Sequence, residues 1–276
     1  MTSFNIQELT KARKSLEHFR TYSVSPYHER YSFPFLLGTY FAYRKIDVLR
    51  IVSISKAISD DPKYVDVGCG YGDFLNKVRE YLINAIGIEK DAGIFYNFSI
   101  PKPDYIKIAD ASWGIEEEYD VIFIGWMDPG VDFTAAVAAK TNVVVTTLDQ
   151  GISQAAEFDG HGFKRIAYWI TPSWEDVNTE IMNRYYTKMP TKTREILCGL
   201  RGAHNLWYVY TKEPQISDAI KSALTLRLEQ EKQTVQERYD FEDVLDECEY
   251  GYLQKLSSTH SGTESYSLWD IRFVDI

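Results

Sequence analysis

At 276 residues, with 45% hydrophobic and 25% charged side chains, the chain has the composition of one large globular domain with elaborations, or two small ones. Its formal charge of -10 and pI of about 5.1 disfavour a nucleic-acid partner, whose phosphates reward clustered Lys and Arg. Three cysteines, Cys69, Cys198 and Cys248, lack CxxC spacing, and no apolar run approaches the ~18–20 residues of a membrane span; both features predict a soluble, cytoplasmic protein with reduced thiols.

Residues 5–20 set Ile6, Leu9, Leu16 and Phe19 among polar residues, the pattern of an amphipathic helix. Residues 27–58 form a second, aromatic-rich helical region that Pro34 and Gly38 break into two pieces. This N-terminal extension, 1–60, carries nine basic against five acidic side chains, and solvated helix faces explain that excess most simply. Asp60, Asp61 and Pro62 then mark a boundary.

From residue 63 short apolar runs alternate with helical patterns: KYVDV (63–67), NAIGI (84–88), DYIKI (104–108), YDVIFI (119–124) and NVVVTT (142–147). Candidate helices lie near 72–82, 92–99 and 131–139. Strands apolar on both faces and separated by helix-length segments predict a mostly parallel sheet covered on both sides, a doubly wound α/β domain over 61–212. FKRIAYWI (163–170) and NLWYVYT (205–211) add two strands that would end the sheet as a non-sequential pair. Between them Ser173 and Asp176 make a capping box that opens a helix. Residues 213–276 form an acidic, mostly helical C-terminal extension with an apolar stripe through Ile216, Ile220, Leu224 and Leu228. A second acidic helix is expected over 240–255, then a loop, and SLWDIRFVDI as a terminal strand or docking tail.

The segment richest in chemistry is Tyr64-Val-Asp-Val-Gly-Cys-Gly-Tyr-Gly-Asp-Phe74, a strand that runs into Gly-x-Gly-x-Gly and then a helix. Glycines permit a tight turn and close ligand approach, and the helix start offers free N–H groups. A dinucleotide loop of GxGxxG type would place its third glycine at 73, where Asp73 would repel a pyrophosphate.

The run VDVGCGYGDF resembles the first motif of class I S-adenosylmethionine-dependent methyltransferases. Ala85-Ile86-Gly87-Ile88-Glu89 resembles the second strand with its terminal acid, Lys107–Ser112 the third-strand motif, and Tyr119–Trp126 the fourth strand. The resemblance covers residues 60–150 well and 60–212 loosely. It implies a doubly wound, mostly parallel, seven-stranded Rossmann-like methyltransferase fold with helical extensions at both ends, and S-adenosyl-L-methionine as cofactor. The cofactor-binding set that follows is Asp66, Gly68, Gly70 and Gly72, with Glu89 on the ribose hydroxyls. Asp110 and Ala111 would lie at the adenine, and Gly125 near the transferred methyl.

A sulfonium methyl is already an activated electrophile, so alignment matters more than a nucleophilic side chain. A hydroxyl or ammonium acceptor would need a proton acceptor. Asp128 resembles the acid of the Asn/Asp-Pro-Pro-aromatic motif in amino-group methyltransferases, although Gly130 replaces the second proline and no aromatic follows; a turn-capping Asp is the alternative. His28 sits in the aromatic segment beside Tyr27 and Tyr31, which would close as a lid or simply present a surface histidine. His161 lies in the loop after the fifth strand, Cys69 is a small filler, and Trp113 and Trp126 are either cofactor contacts or core. These residues predict a methyltransferase acting on a small molecule. A protein acceptor, an RNA acceptor and a noncatalytic cofactor-binding module are the alternatives.

Overall fold

The five apolar runs expected from residue 63 onward become β1 (Tyr64–Val67), β2 (Ile86–Glu89), β3 (Ile106–Ile108), β4 (Val121–Gly125) and β5 (Val143–Leu148). The computed structural model describes residues 6–22, 24–39, 43–125, 133–148, 158–198, 206–233, 238–251 and 268–274. The later runs become β6 (Lys164–Ile170) and β7 (Leu206–Thr211), and Arg272–Phe273 adds β8. Neighbours in the sheet follow the order β3-β2-β1-β4-β5-β7-β6-β8. Strands β1 to β5 pair in parallel, while β7 runs antiparallel to both β5 and β6. The sheet is thus doubly wound and mostly parallel, as expected, with eight strands among the described residues against the seven expected. The added β8 lies in the SLWDIRFVDI run expected as a terminal strand or docking tail, and among the described residues it pairs with Ala167 and Tyr168 of β6. The dinucleotide arrangement continues 4-5-6, whereas here β7 stands between β5 and β6.

The chain divides into two compact units, an α/β unit of Tyr43–Thr171, Asn205–Tyr239 and Trp269–Ile276, and a helical unit of Met1–Ala42, Pro172–His204 and Asp240–Leu268. In the α/β unit both sheet faces are covered. On one, Val65, Val67, Ile122, Ile124 and Val144 pack with Ile115, Phe133 and Val137. On the other, Phe123 of β4 stacks on Trp207 of β7 at 5.9 Å, and Trp207 on Trp169 of β6 at 5.4 Å. Each such ring pair contributes ~0.5–1.5 kcal/mol beyond its buried area. Trp169 donates its indole N–H to Asp47 at 2.8 Å, and Trp207 to Thr171 at 2.9 Å, so neither polar edge is left bare.

Helices α1 (Ile6–Arg20), α2 (His28–Ser32), α3 (Pro34–Leu37) and α4 (Lys45–Lys56) precede the sheet. Pro34 starts α3, where its missing N–H costs nothing, and Gly38 ends it at φ 69. Among its described residues the aromatic segment therefore breaks into three helices, one more than the two pieces expected. Within the sheet region come α5 (Asp73–Arg79), α6 (Gly93–Phe98) and α7 (Thr134–Ala138). They are followed by α8 (Trp174–Tyr185), α9 (Thr191–Cys198), α10 (Pro214–Gln233) and α11 (Asp243–Glu247). The expected capping box opens α8: Ser173 Oγ accepts from Asp176 N–H, and Asp176 accepts from Ser173 N–H, both at 3.0 Å. Although α4 and α10 come from the two expected extensions, they lie in the α/β unit; α10 packs on β6, β7 and α4.

The helical unit has its own core. Phe19 stacks on Tyr186 at 4.5 Å, and Ser32 donates to Asn178, which in turn donates to the Leu197 carbonyl.

Candidate functional site

The parallel strands end together at one edge of the α/β unit. The pairings Glu89↔Ile108, Val67↔Ile88, Val67↔Ile124 and Gly125↔Thr147 bring β1 to β5 level there. From β1 the chain winds outward through β2 and β3, then returns to β4 on the other side of β1. That reversal between β1 and β4 is the topological switch point, where a doubly wound sheet leaves a crevice.

The glycine turn follows β1. Gly68, Gly70 and Gly72 take φ of 77°, 56° and 79°, the left-handed region that an L side chain resists. Gly68 and Cys69 N–H both donate to the Ile88 carbonyl, and Gly72 N–H to the Cys69 carbonyl, which fixes the turn against β2. A Cβ at Gly72 would lie 2.8 Å from Ile106 Cδ1, whereas one at Gly68 would meet nothing within 4 Å. Gly72 is needed for packing on β3, and Gly68 leaves open space at the strand end. Each alanine replacement is expected to cost about 1–2 kcal/mol in backbone strain, with Gly72→Ala losing more because of the clash. Urea unfolding of both variants checks this, and equal losses would contradict it.

Glu89, at the end of β2, is buried against this turn. Its carboxylate accepts from Gly70 N–H at 2.8 Å and from Asp91 N–H at 3.0 Å. An ionised carboxylate has about four acceptor positions, so two remain open. Asp66, within β1, is buried and makes no side-chain hydrogen bond among the described residues. Burial, and then the charge of Glu89, pushes its carboxyl well above the usual range.

Asp110 follows β3. It caps a short 3-10 turn, Ala111–Trp113, by accepting from Ser112 N–H at 3.0 Å and Ser112 Oγ–H at 2.6 Å, while Lys90 Nζ lies 2.6 Å from its other oxygen. The Lys90 bond, then the Ser112 bonds, hold its carboxyl down at about 2, so it stays ionised at neutral pH. Ala111 is buried beside it. Trp113 is 91% exposed and belongs to no core. At the end of β4, a Cβ on Gly125 would lie 2.8 Å from the Phe123 ring, so only glycine fits the strand end as packed.

Asp73 stands at the first position of α5, where its carboxylate accepts from Tyr43 O–H at 2.9 Å. Cys69 is the filler expected. A Cβ at Gly87 would come within 2.5 Å of its sulfur, and burial pushes the thiol well up, away from thiolate chemistry.

The structure thus brings Asp66, Gly68, Gly70, Gly72, Glu89, Asp110, Ala111 and Gly125 to one edge of the sheet. Asp128 and Trp126 lie outside the described residues. His28 belongs to the helical unit and is fully buried; Nδ1 lies 3.0 Å from Tyr186 Oη and Nε2 lies 3.2 Å from Glu247. Tyr186 Oη also accepts from Val24 N–H at 3.3 Å. Burial lowers this histidine's pKa, against the pull of Glu247, in keeping with a neutral ring. His161 precedes β6, which runs parallel to β1, so it lies at the opposite end of the strands. Lys90 on Asp110 and Asp91 N–H on Glu89 went unforeseen; both directly follow the second-strand acid in sequence.

No protein-family model matches the chain, and no curated protein matches it. Similar solved structures include an O-methyltransferase from a trans-AT PKS multienzyme of Brevibacillus brevis in complex with S-adenosyl-L-homocysteine. It is 12% identical, over 70% of this chain and 86% of that one, with a TM-score of 0.42. The methyltransferase domain of bacterial CtHen1-C is 12% identical over 60% of this chain and 97% of that one, with a TM-score of 0.39. The precorrin-6y C5,15-methyltransferase of Geobacter metallireducens is 14% identical over 60% of this chain and 87% of that one, with a TM-score of 0.35.

Proposed function

We propose that the protein is an S-adenosylmethionine-dependent methyltransferase that acts on a small molecule. The observation that carries the reading is the Glu89 carboxylate seated on the Gly70 amide, which joins the acid ending β2 to the glycine turn ending β1. The residues present suit the cofactor. Gly68 leaves space where an adenosyl group would approach the backbone, and Glu89 keeps two acceptor positions for a pair of ribose hydroxyls. Asp66 offers a buried carboxyl with no protein partner among the described residues. Asp110, already ionised, would accept from the adenine amino group beside Ala111. Gly125 keeps the end of β4 free of side-chain bulk.

When bound, the cofactor supplies a methyl group on sulfonium sulfur for direct in-line transfer. The chain's part is to orient the acceptor and exclude water, work in which alignment is worth ~7–11 kcal/mol in favourable cases. Asp128, in the segment after β4, is our candidate to take the acceptor's proton. A small acceptor fits the acidic balance of the chain, which repels polyanions.

Calorimetry with S-adenosylhomocysteine and with NAD tests the cofactor. Binding of the first and not the second is expected; the reverse would return the glycine turn to dinucleotide chemistry. Incubation of a cell extract with methyl-labelled cofactor tests the acceptor. Label in the low-molecular-mass fraction is expected, and label in protein or RNA would replace the small-molecule reading.

Trp113, so exposed beside Asp110, makes a convenient reporter. Its replacement by alanine is expected to change stability by less than about 0.5 kcal/mol. The indole fluorescence lost in that variant should account for any change seen when S-adenosylhomocysteine is added to the wild type. A change that persists without Trp113 would place the adenine elsewhere.

A further inference from the structure

At the antiparallel end of the sheet, a β-bulge between Arg165 and Ala167 shifts the register of β6. Residues three apart in a regular strand face opposite ways. The bulge cancels that alternation: Arg165 pairs with Tyr210 and Tyr168 with Tyr208, so all four share one face, opposite the stacked Trp169 and Trp207. Bulges commonly re-aim a side chain in this manner.

The result is an arginine held between tyrosine rings. Arg165 Cζ lies 4.8 Å from the Tyr208 ring centre and 5.3 Å from that of Tyr168, and the two rings are 6.2 Å apart. No carboxylate pairs with Arg165 among the described residues, and its Nε is buried without a hydrogen-bond partner. The hydroxyl of Tyr210, also buried, has no partner either. Arg272 of β8 stands at the register of Tyr168, on the same face. Arg165, Tyr168, Tyr208 and Arg272 are half-buried, so the cluster is built yet reachable. A guanidinium with no carboxylate partner among the described residues calls for an anion, and Arg165, already stacked on rings, keeps its outer N–H groups for it. The flanking rings offer a face to a planar base.

We propose that Arg165, Tyr168 and Tyr208 bind a nucleotide, with its phosphate on the guanidinium and its base against the tyrosine rings. This site lies away from the glycine turn and does not depend on the methyl-transfer reading.

The test is calorimetry of the full chain at low ionic strength with uridine 5′-monophosphate, inorganic phosphate and uridine as separate probes. Uridine 5′-monophosphate should bind at one site, and each fragment at least about tenfold more weakly, since both contacts are needed. Arg165→Met should abolish binding, and Arg165→Lys should weaken it about tenfold, because the point charge lacks the planar fork. Tyr208→Leu should weaken it while leaving phosphate binding unchanged. Circular dichroism confirms the fold of each variant. Absence of binding by the wild type would overturn the proposal, as would undiminished binding by a folded Arg165→Met or Tyr208→Leu. S-adenosylhomocysteine affinity, measured on the same samples, should not move, so failure of this site and failure of the cofactor site are read separately.

Discussion

Replacing Glu89 with alanine is expected to weaken S-adenosylhomocysteine binding by about 1.5–3 kcal/mol, the worth of hydrogen bonds to a charged group. That is roughly a tenfold to hundredfold loss or more. The carboxylate does two things at once. It accepts from Gly70 and Asp91 N–H, which shapes the turn, and it keeps two acceptor positions for the ribose hydroxyls of the cofactor we propose. Glu89→Gln removes part of each role, since the amide oxygen can still accept from Gly70 N–H while its NH2 end meets Asp91 N–H and cannot accept at all. The glutamine variant should unfold below the wild-type midpoint but above the alanine variant, and bind the ligand with intermediate affinity. An alanine variant that binds as tightly as wild type would remove the ribose role and, with it, the main support for the proposed function.

Much of this site was legible because its parts are local in sequence. The strand runs β1, β2, β4 and β5 are mostly apolar and buried, the pattern of a covered parallel sheet, while β3 at the sheet's border exposes Lys107 and Ile108. The residue ending each strand lands at the same edge because parallel strands start and stop together. Strand order followed less directly. The insertion of β7 between β5 and β6 was expected only as a non-sequential pair, and β8 has two residues. The extensions were misleading in one respect. Residues 45–56 and 214–233 have helical periods that say nothing of their destination, and both cover the sheet. The bulge in β6 was invisible for a related reason, since an extra residue changes register without changing composition. The ion pair joining α4 to α10 lies beyond any local pattern, its partners being 181 positions apart.

That pair, Arg50 with Glu231, carries the largest expected effect on stability. Arg50 Nε and Nη2 donate to the two carboxylate oxygens of Glu231 at 3.1 and 2.8 Å, and both side chains are fully buried. Arg227 adds a third bond at 3.2 Å, while Arg50 Nη1 finds no partner among the described residues. Two charges removed from water roughly offset their attraction by the desolvation they suffer, but one charge left alone does not. Glu231→Ala is therefore expected to cost about 3–5 kcal/mol in urea unfolding, whereas Arg50→Met combined with Glu231→Leu should fall near the wild type or above it. Asp47 supplies a pH dependence that tells the two apart. Burial pushes its carboxyl up to about 7, and Arg50 pulls the other way. An acid whose folded pKa is raised binds more protons when folded, so its contribution to stability falls as pH rises from the ordinary carboxylate range toward 7. Without Arg50 that pull is gone, and the smaller upward push of Glu231, lost in the double variant, does not cancel it, so the decline should extend further. The double variant should then compare best with wild type at pH 5 and worst at pH 8. A difference that stays flat across this range would mean that Arg50 does not govern Asp47.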